Sequence, residues 1–388
     1  MLKALHNALS RRRLPREARA ECDRDRRGLP AEDPGSAAVI DAGLAWLARA
    51  QDCSLSADGG VARDFSLISG WSTSYPETTG YIVPTFLAQL DEAGANDHRE
   101  RARRMLDWLS AIQLEGGGIQ GGKIDAPVKR PVTFNTGQVL LGFCAGVRAF
   151  DRYHDNMHAA ARFLRDTLDE DGCWRSHPTP YAAAGQKAYE THVSWALFEA
   201  ERLAPGEGYG IAGLRQVDWA LGKQTENGWV ADCCLNRPSR PLTHTLGYYL
   251  RGVVEAHRLS GERRFLAAAC KTGEGLISAQ RADGSLAGRL NGDWTAAADW
   301  ACLTGISQIA ESWFYLFEAT GDPLYLEAGQ RANAFVRRTV RTEGPQNIRG
   351  GVKGSFPVEG AYGRFEYLSW AAKFTIDANR REVDLLGS

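Results

Sequence analysis

The stretch Gly70–Leu87, GWSTSYPETTGYIVPTFL, joins an aromatic and polar loop to an apolar run. Pro76 cannot donate a backbone hydrogen bond, so it suits a loop or the first turn of a helix. Thr78 or Thr79 is expected to cap the amide groups that follow. The stretch therefore predicts a helix whose amino terminus faces the loop.

This stretch is the first of a series. Apolar runs that open with Thr recur at Thr79, Thr136, Thr191, Thr243 and Thr304, and a weaker sixth run starts near Glu366. An amphipathic run that ends in a glycine-rich turn precedes each of the first five: Ala42–Gly60, Ala102–Gly118, Ala161–Trp174, Arg215–Trp229 and Gly273–Ser285. The starts lie roughly 50 to 60 residues apart, which predicts six units of two helices each.

The two kinds of run differ in where their apolar residues lie. The Thr-started runs are apolar on most of their circumference, whereas the runs that end in glycine are one-sided. A helix that is apolar all round belongs inside, so we predict six inner helices wrapped by six outer helices. The predicted fold is an all-α (α/α)6 toroid spanning residues 36–388 as a single domain, with little β-strand.

The outer runs share an ending in which Gln precedes a glycine turn, as in Gln51 with Gly59-Gly60, Gln113 with Gly116-Gly117, Gln224 with Gly228-Trp229, and Gln280 with Gly284. These endings resemble the repeats of squalene-cyclase and prenyltransferase barrels. The count of six units is similar to the carbohydrate-active toroids: sugar 2-epimerases, unsaturated glucuronyl hydrolases, glucuronyl C5-epimerases and toroidal polysaccharide lyases. The resemblance covers about residues 36–380 and implies a toroid that acts on a saccharide.

Charge and composition exclude several classes of protein. The chain has 388 residues, and its 46 basic and 47 acidic side chains nearly cancel, so no overall field favours nucleic acid. No apolar run reaches the length of a membrane span, and the eight cysteines include no CxxC pair. These features predict a soluble, cytoplasmic protein with reduced, buried thiols.

Residues 1–35 form a separate, arginine-rich extension closed by Pro30 and Pro34. We interpret it as a solvated arm or a helix that lies on the domain. The alternative is a basic amphipathic helix that makes weak contact with an anionic membrane surface.

The loops that lead into the inner helices are expected to form one rim, where six helix amino termini favour an anionic ligand. The catalytic candidates in these loops and helix starts are His192, His244, Tyr75, Glu77 and Glu190. His192 and His244 both follow the Thr that starts an inner helix, which predicts that they lie near each other. Glu77 has a second interpretation, as favourable charge at a helix amino terminus.

Aromatic rings and charged groups on the same rim suit a sugar, because rings stack on its apolar face and cations fix its carboxylate. The substrate-binding candidates are Trp71, Asn135, Lys187, Arg237, Asp299, Trp300, Tyr362 and Arg364. Trp71 and Trp300 also suit simple packing in the core. Closure of the ring is expected to place Tyr362 and Arg364 beside Tyr75 and Glu77.

These residue types predict an enzyme that acts on an anionic, uronic-acid-type oligosaccharide or polysaccharide by lyase, epimerase or hydrolase chemistry, without cofactor or metal. A terpene cyclase or prenyltransferase is the first alternative, but the DxDD and DDxxD motifs of those enzymes are missing. The other is a non-catalytic glycan-binding member of a polysaccharide system. A zinc site at Cys233, Cys234 and His244 is disfavoured because the motifs of zinc-dependent toroids are absent.

Overall fold

A computed structural model of the chain describes residues 14–88, 95–183 and 185–387. Thirteen α-helices lie in these ranges: α1 (Arg16–Arg26), α2 (Ser36–Asp52), α3 (Pro76–Leu87), α4 (Ala95–Ile112), α5 (Thr133–Phe150), α6 (His154–Asp166), α7 (Thr191–Leu203), α8 (Tyr209–Leu221), α9 (Thr243–Ser260), α10 (Arg263–Ala279), α11 (Leu303–Thr320), α12 (Pro323–Thr339) and α13 (Ser369–Gly387). The odd-numbered helices from α3 to α13 form an inner ring, and the even-numbered helices form an outer ring.

The inner ring is closed. Each inner helix packs on the next, and α13 packs on both α3 and the first outer helix, α2. The last inner helix therefore pairs with an outer helix from the start of the chain. The predicted (α/α)6 toroid is confirmed.

The glycine turns of the outer helices have a steric purpose. Five of them adopt a positive φ and lie so close to the next outer helix that a Cβ atom would clash with one of its carbonyl oxygens: Gly117, Gly172, Gly228, Gly284 and Gly350. Gly350 lies against Ala42 of α2, so this contact closes the outer ring. Only glycine combines the left-handed backbone with this close approach.

The glutamines before these turns fasten one outer helix to the next. The side-chain amide of Gln113 donates hydrogen bonds to the carbonyl oxygens of Gly117 and Asn156, at 2.9 and 3.1 Å. The amide of Gln280 bonds Gly284 and Ala328 in the same way, at 3.2 and 3.0 Å. The Gln and Gly pattern in the sequence is thus a packing device that repeats around the ring.

The threonine prediction needs a correction. Helix α3 begins at Pro76 and Tyr75 is its N-cap, so Thr78 and Thr79 both lie inside the first turn and neither is the capping residue. Thr79 has a different role. Its hydroxyl donates to the carbonyl of Tyr75 at 2.9 Å and accepts the amide of Val61 at 3.0 Å. Thr79 therefore ties the preceding loop to the helix. The sixth inner helix likewise starts at Ser369, because Glu366 lies in a short strand.

Five short strands lie in the loops: β1 (Asp64–Ser66), β2 (Gly70–Trp71), β3 (Ala301–Cys302), β4 (Ser355–Phe356) and β5 (Glu366–Leu368). Strand β1 pairs antiparallel with both β2 and β5, and Phe65 lies opposite Tyr367. This small sheet joins the first rim loop to the last one. It fixes the side chains of both loops at one side of the rim.

Helix α1 packs against the last rim loop, which precedes α13. The ammonium group of Lys353 lies between Glu21 Oε1, at 3.0 Å, and Asp25 Oδ1, at 2.5 Å, and all three side chains are 1% exposed. Asp25 also accepts the backbone amide of Val358 at 2.7 Å. Residues 1–13, which carry part of the predicted basic segment, lie outside the described residues.

All eight cysteines are unpaired, and six are buried, whereas Cys53 is exposed and Cys270 is half-buried. Within the described residues, no helix is both long enough and apolar enough to span a bilayer.

Candidate active site

A cavity of about 550 Å³ opens at the end of the toroid where the inner helices begin. Its wall combines aromatic rings with charged groups: Arg63, Asp64, Ser69, Ser72, Tyr75, Glu77, Lys123, Phe134, Thr179, Tyr181, Tyr189, Leu235, His244, Thr245, Tyr248, Tyr362, Glu366 and Trp370. The first and last rim loops contribute to it together, because the β1–β5 pairing holds them side by side.

Glu77 is a carboxyl group in this wall with a raised pKa. It lies in the first turn of α3, and its Oε2 accepts a hydrogen bond of 2.9 Å from the hydroxyl of Tyr75. Burial raises the pKa of Glu77 to about 7, and the bond from Tyr75 and the charge of Arg63 oppose that rise only in part. Glu77 is therefore suited to give or take a proton near neutral pH.

Arg63 supplies positive charge beside Glu77. Its guanidinium bonds Asp64 at 2.7 Å and Glu366 at 3.1 Å, and it lies over the ring of Trp370 with 5.1 Å to the centroid. Because Glu366 belongs to the last rim loop, this cluster links both ends of the chain at the cavity. A guanidinium fixed in this way stabilises negative charge that develops on a bound substrate.

His244 lies in the wall with one nitrogen already engaged. Its Nδ1 lies 2.8 Å from Oε1 of Gln308, which only accepts, so Nδ1 carries the proton and Nε2 is left as an acceptor. Burial lowers the pKa of His244 to about 4, although the bond to Gln308 acts in the opposite direction. His244 is therefore neutral at physiological pH.

His192 lies behind the cavity wall. Its Nδ1 makes the matching contact with Gln138 at 2.8 Å, and its ring packs 4.5 Å from that of Tyr248. The ring centroid of His244 lies 4.4 Å from that of the same Tyr248, so the two histidines are near neighbours, as predicted. His192 is 1% exposed and does not line the cavity.

Glu190 and Lys187 line a second, smaller cavity of about 220 Å³. Tyr189 and Thr179 belong to the walls of both cavities, so the two are neighbours. Of the other predicted residues, Tyr362 lines the large cavity, and its hydroxyl accepts the indole N–H of Trp370 at 2.8 Å.

Three predicted residues pack in the protein beyond both cavities. Trp71 packs on Trp46 and Phe65 with ring centroids 5.4 and 5.1 Å apart. Asn135 is buried and donates to a backbone carbonyl of the rim loop at 3.1 Å. Trp300 is buried in a small apolar cluster.

The remaining three predicted residues, Arg237, Asp299 and Arg364, are exposed and line neither cavity. The position that was expected for Arg364, beside Glu77, belongs to Arg63, which the sequence did not single out.

The sequence analysis did not select Tyr248, Trp370 or Arg63, which line the large cavity. The sequence nevertheless contains a pattern that points to two of them. Tyr248 lies four residues after His244 on α9, which puts both on one face of the helix. Trp370 follows the first residue of its inner helix, as His192 and His244 do. Arg63 had no such signal. It lies directly before strand β1, and β5, which pairs with β1, lies near the far end of the chain. Within the described residues, no three His, Cys, Asp or Glu side chains are arranged to hold a metal ion.

No family model matches the sequence, and no curated protein matches it. Solved structures do. An unsaturated glucuronyl hydrolase specific for heparin is similar with a TM-score of 0.72 and 13% identity, over 90% of this chain and 97% of that chain. The chain shares its fold with that enzyme.

Two further structures support the same fold. Cellobiose 2-epimerase from Bacillus thermoamylovorans B4167 gives a TM-score of 0.68 at 12% identity, over 88% of this chain and 98% of that chain. A D-mannose isomerase gives 0.69 at 13% identity, over 92% and 99%. All three neighbours are toroids, as the resemblance in the sequence implied. At this identity the likeness shows architecture, so the chemistry has to be argued from the cavity itself.

Proposed function

We propose that the protein is a carbohydrate-active enzyme that transfers protons on an anionic, uronic-acid-type oligosaccharide or polysaccharide in the large cavity. The observation that carries the proposal is the pair of Tyr75 and Glu77, which places a carboxyl group of pKa about 7 in an aromatic wall. The glucuronyl hydrolase and the epimerase that share the fold act on saccharides, which supports the choice of substrate class.

The cavity supplies what proton abstraction beside a sugar carboxylate requires. Glu77 is the base that removes the proton, and Arg63 stabilises the enolate-like negative charge that results. Delivery of a proton to the other face by a second acid gives epimerase chemistry. Breakage of the neighbouring C–O bond, with the leaving glycosidic oxygen taking up a proton, gives lyase chemistry. Hydrolysis uses the same Glu77 as an acid, with Asp64 or Glu366 as its carboxylate partner.

An anionic substrate is supported by Lys123 in the wall and by the amino termini of α3 and α9 beside it. Arg63 adds a guanidinium that also pairs with Asp64 and Glu366. The rings of Tyr362, Trp370 and Phe134 provide apolar faces on which a sugar ring stacks. The aromatic faces favour a sugar acid as the ligand. A prenyl diphosphate is usually bound through magnesium, and the described residues include no group of three or more His, Cys, Asp or Glu side chains that could hold a metal ion.

The test is incubation of the protein with polyuronates, their oligosaccharides and neutral disaccharides in deuterated water. Ultraviolet absorbance detects unsaturated products, reducing-end release detects hydrolysis, and deuterium incorporation beside the carboxylate detects epimerisation. We expect turnover that Glu77→Gln lowers about a thousandfold. The matched control is Glu115→Gln, an exposed carboxylate in an outer turn, which should keep full activity.

Activity of Glu77→Gln equal to that of the wild type would overturn the role of Glu77. Saccharide binding without turnover on any substrate would overturn the enzymatic proposal and favour a glycan-binding protein instead. Turnover restricted to neutral disaccharides would retain the enzyme and reject the anionic substrate.

A further inference from the structure

The smaller cavity beside the main one has a polar wall of its own. Lys187, Tyr189 and Glu190 line it, together with His177 and Thr133. The first three come from one short segment that ends in a single 3₁₀ turn, Ala188–Glu190, directly before α7. The cavity lies next to the large one, which it meets at Tyr189.

Two polar atoms in this wall are buried without a partner. Glu190 is 5% exposed and Tyr189 is 2% exposed. In the part of the chain that the structure describes, neither Oε2 of Glu190 nor the hydroxyl of Tyr189 makes a hydrogen bond. Buried polar groups are nearly always satisfied, and an unsatisfied one costs about 1 to 3 kcal/mol. A ligand that makes contact with both side chains would supply the missing partners.

Lys187 adds a positive charge to the same wall. Its side chain is mostly buried, and its charge acts on Glu190 without a direct ion pair among the described residues. Among the described residues that line this cavity, Lys187 is the one that carries an ammonium group for a ligand.

We propose that this cavity is a subsite for the carboxylate of an acidic sugar unit, adjacent to the unit that reacts in the main cavity. The inference rests on the proposed function and deepens it, because it makes the substrate an oligosaccharide of at least two units. Lys187 provides the charge for the carboxylate. Tyr189 and Glu190 provide hydrogen bonds to it, so Glu190 has a binding role.

The protonation of Glu190 agrees with this arrangement. Burial raises the pKa of Glu190 to about 8, and the charge of Lys187 opposes the rise only in part. At neutral pH the group is therefore a carboxylic acid, which donates a hydrogen bond to a bound carboxylate.

Other charged or titratable groups line this cavity or lie beside it. Burial raises the pKa of the Cys173 thiol to about 12, and the charge of Glu190 contributes to the rise. The ring of His177 packs on Phe163. Arg175 is engaged by Asp169 and Asp171 at 2.6 Å each. None of these groups replaces Lys187 as the partner of a bound anion.

The test is isothermal titration of D-glucuronate and D-glucose into the full-length protein and three variants. Lys187→Gln should weaken glucuronate binding about tenfold, whereas the exposed control Lys129→Gln should leave it unchanged. Wild-type affinity for glucuronate should fall between pH 7 and pH 9 as Glu190 ionises and repels the ligand. Glu190→Gln keeps a donor at this position, so its affinity should be retained at pH 7 and should no longer fall at pH 9.

The subsite would be overturned if Lys187→Gln bound glucuronate as tightly as the wild type, with circular dichroism showing that both proteins are folded. Loss of the affinity in Glu190→Gln at pH 7 would overturn the role of its acid proton. Turnover measured on the same samples separates the two proposals, because a failed subsite leaves catalysis in the large cavity intact.

Discussion

The hydroxyl of Tyr75 donates a 2.9 Å hydrogen bond to Oε2 of Glu77, two residues further along the chain. Tyr75 is the residue before α3, and Glu77 is the second residue of the helix. The pair therefore spans a helix start, and the helix start fixes both side chains in the wall of the main cavity. Burial raises the pKa of both groups, which keeps the phenol protonated as a donor.

Glu77 should make the stability of the protein depend on pH. Its folded pKa of about 7 lies above the ordinary value of 4.5, so the folded state holds a proton that the unfolded state has lost between these pH values. Stability from this group is present at low pH and is lost as pH rises to about 7. Urea unfolding at pH 5 and pH 8 should show that Glu77→Gln gains ~2 kcal/mol relative to wild type at the higher pH. An equal effect at both values would contradict the raised pKa.

His244 should stay neutral well below physiological pH. Its pKa of about 4 follows mainly from burial, and Gln308 holds the proton on Nδ1. Nitrogen-detected magnetic resonance of the imidazole should show this tautomer at pH 7, with the signal assigned by its loss in His244→Asn. Gln308→Glu places a carboxylate beside the ring, so the pKa should rise by about 1 to 3 units. A protonated ring at pH 6 in the wild type is the contrary result.

Gly350 should tolerate no side chain, because it closes the outer ring. Gly350→Ala combines left-handed strain with a clash against the carbonyl of Ala42, whereas Gly321→Ala introduces a side chain at a left-handed φ of +74° in open space. Both substitutions cost about 1 to 2 kcal/mol for the backbone. Gly350→Ala should cost ~1 to 3 kcal/mol more in urea unfolding because of the overlap. Equal losses in the two variants would show that the close approach has no energetic weight.

Lys353 should be essential for attachment of α1. Lys353→Met leaves the buried carboxylates of Glu21 and Asp25 without their cation, so we expect a loss of about 3 to 5 kcal/mol. The exposed control Lys129→Met should change stability by less than ~0.5 kcal/mol. Addition of Glu21→Gln and Asp25→Asn to Lys353→Met should recover part of the loss, because neutral amides no longer require a cation. Urea unfolding of the four proteins measures each step.

The fold was largely predictable, because its signals are local and repeated. The period of the Thr-started runs located the inner helices, and the glycine endings located the turns of the outer helices. The role of the threonines was less accessible. The sequence predicts a cap at Thr78 or Thr79, because it does not show that Val61 donates its amide to the hydroxyl of Thr79.

The site was predicted in part. Tyr75, Glu77, His244 and Tyr362 reach the large cavity because each lies at or just before the start of an inner helix or in the last rim loop. Arg237, Asp299 and Arg364 lie in rim loops too, yet their side chains are exposed. Membership of a loop does not decide the direction of a side chain, which depends on what packs beneath it.

The sequence by itself determined the number of units, the assignment of helices to two rings and the end of the toroid that bears polar residues. These features follow from helical period and from the steric demands of glycine, which act between near neighbours in the chain. Tertiary structure alone decided that Arg63 meets Glu366 and that Gln308 orients His244, at sequence separations of 303 and 64 residues. Such contacts depend on closure of the ring and on burial, and burial in turn sets the pKa values of Glu77 and Glu190.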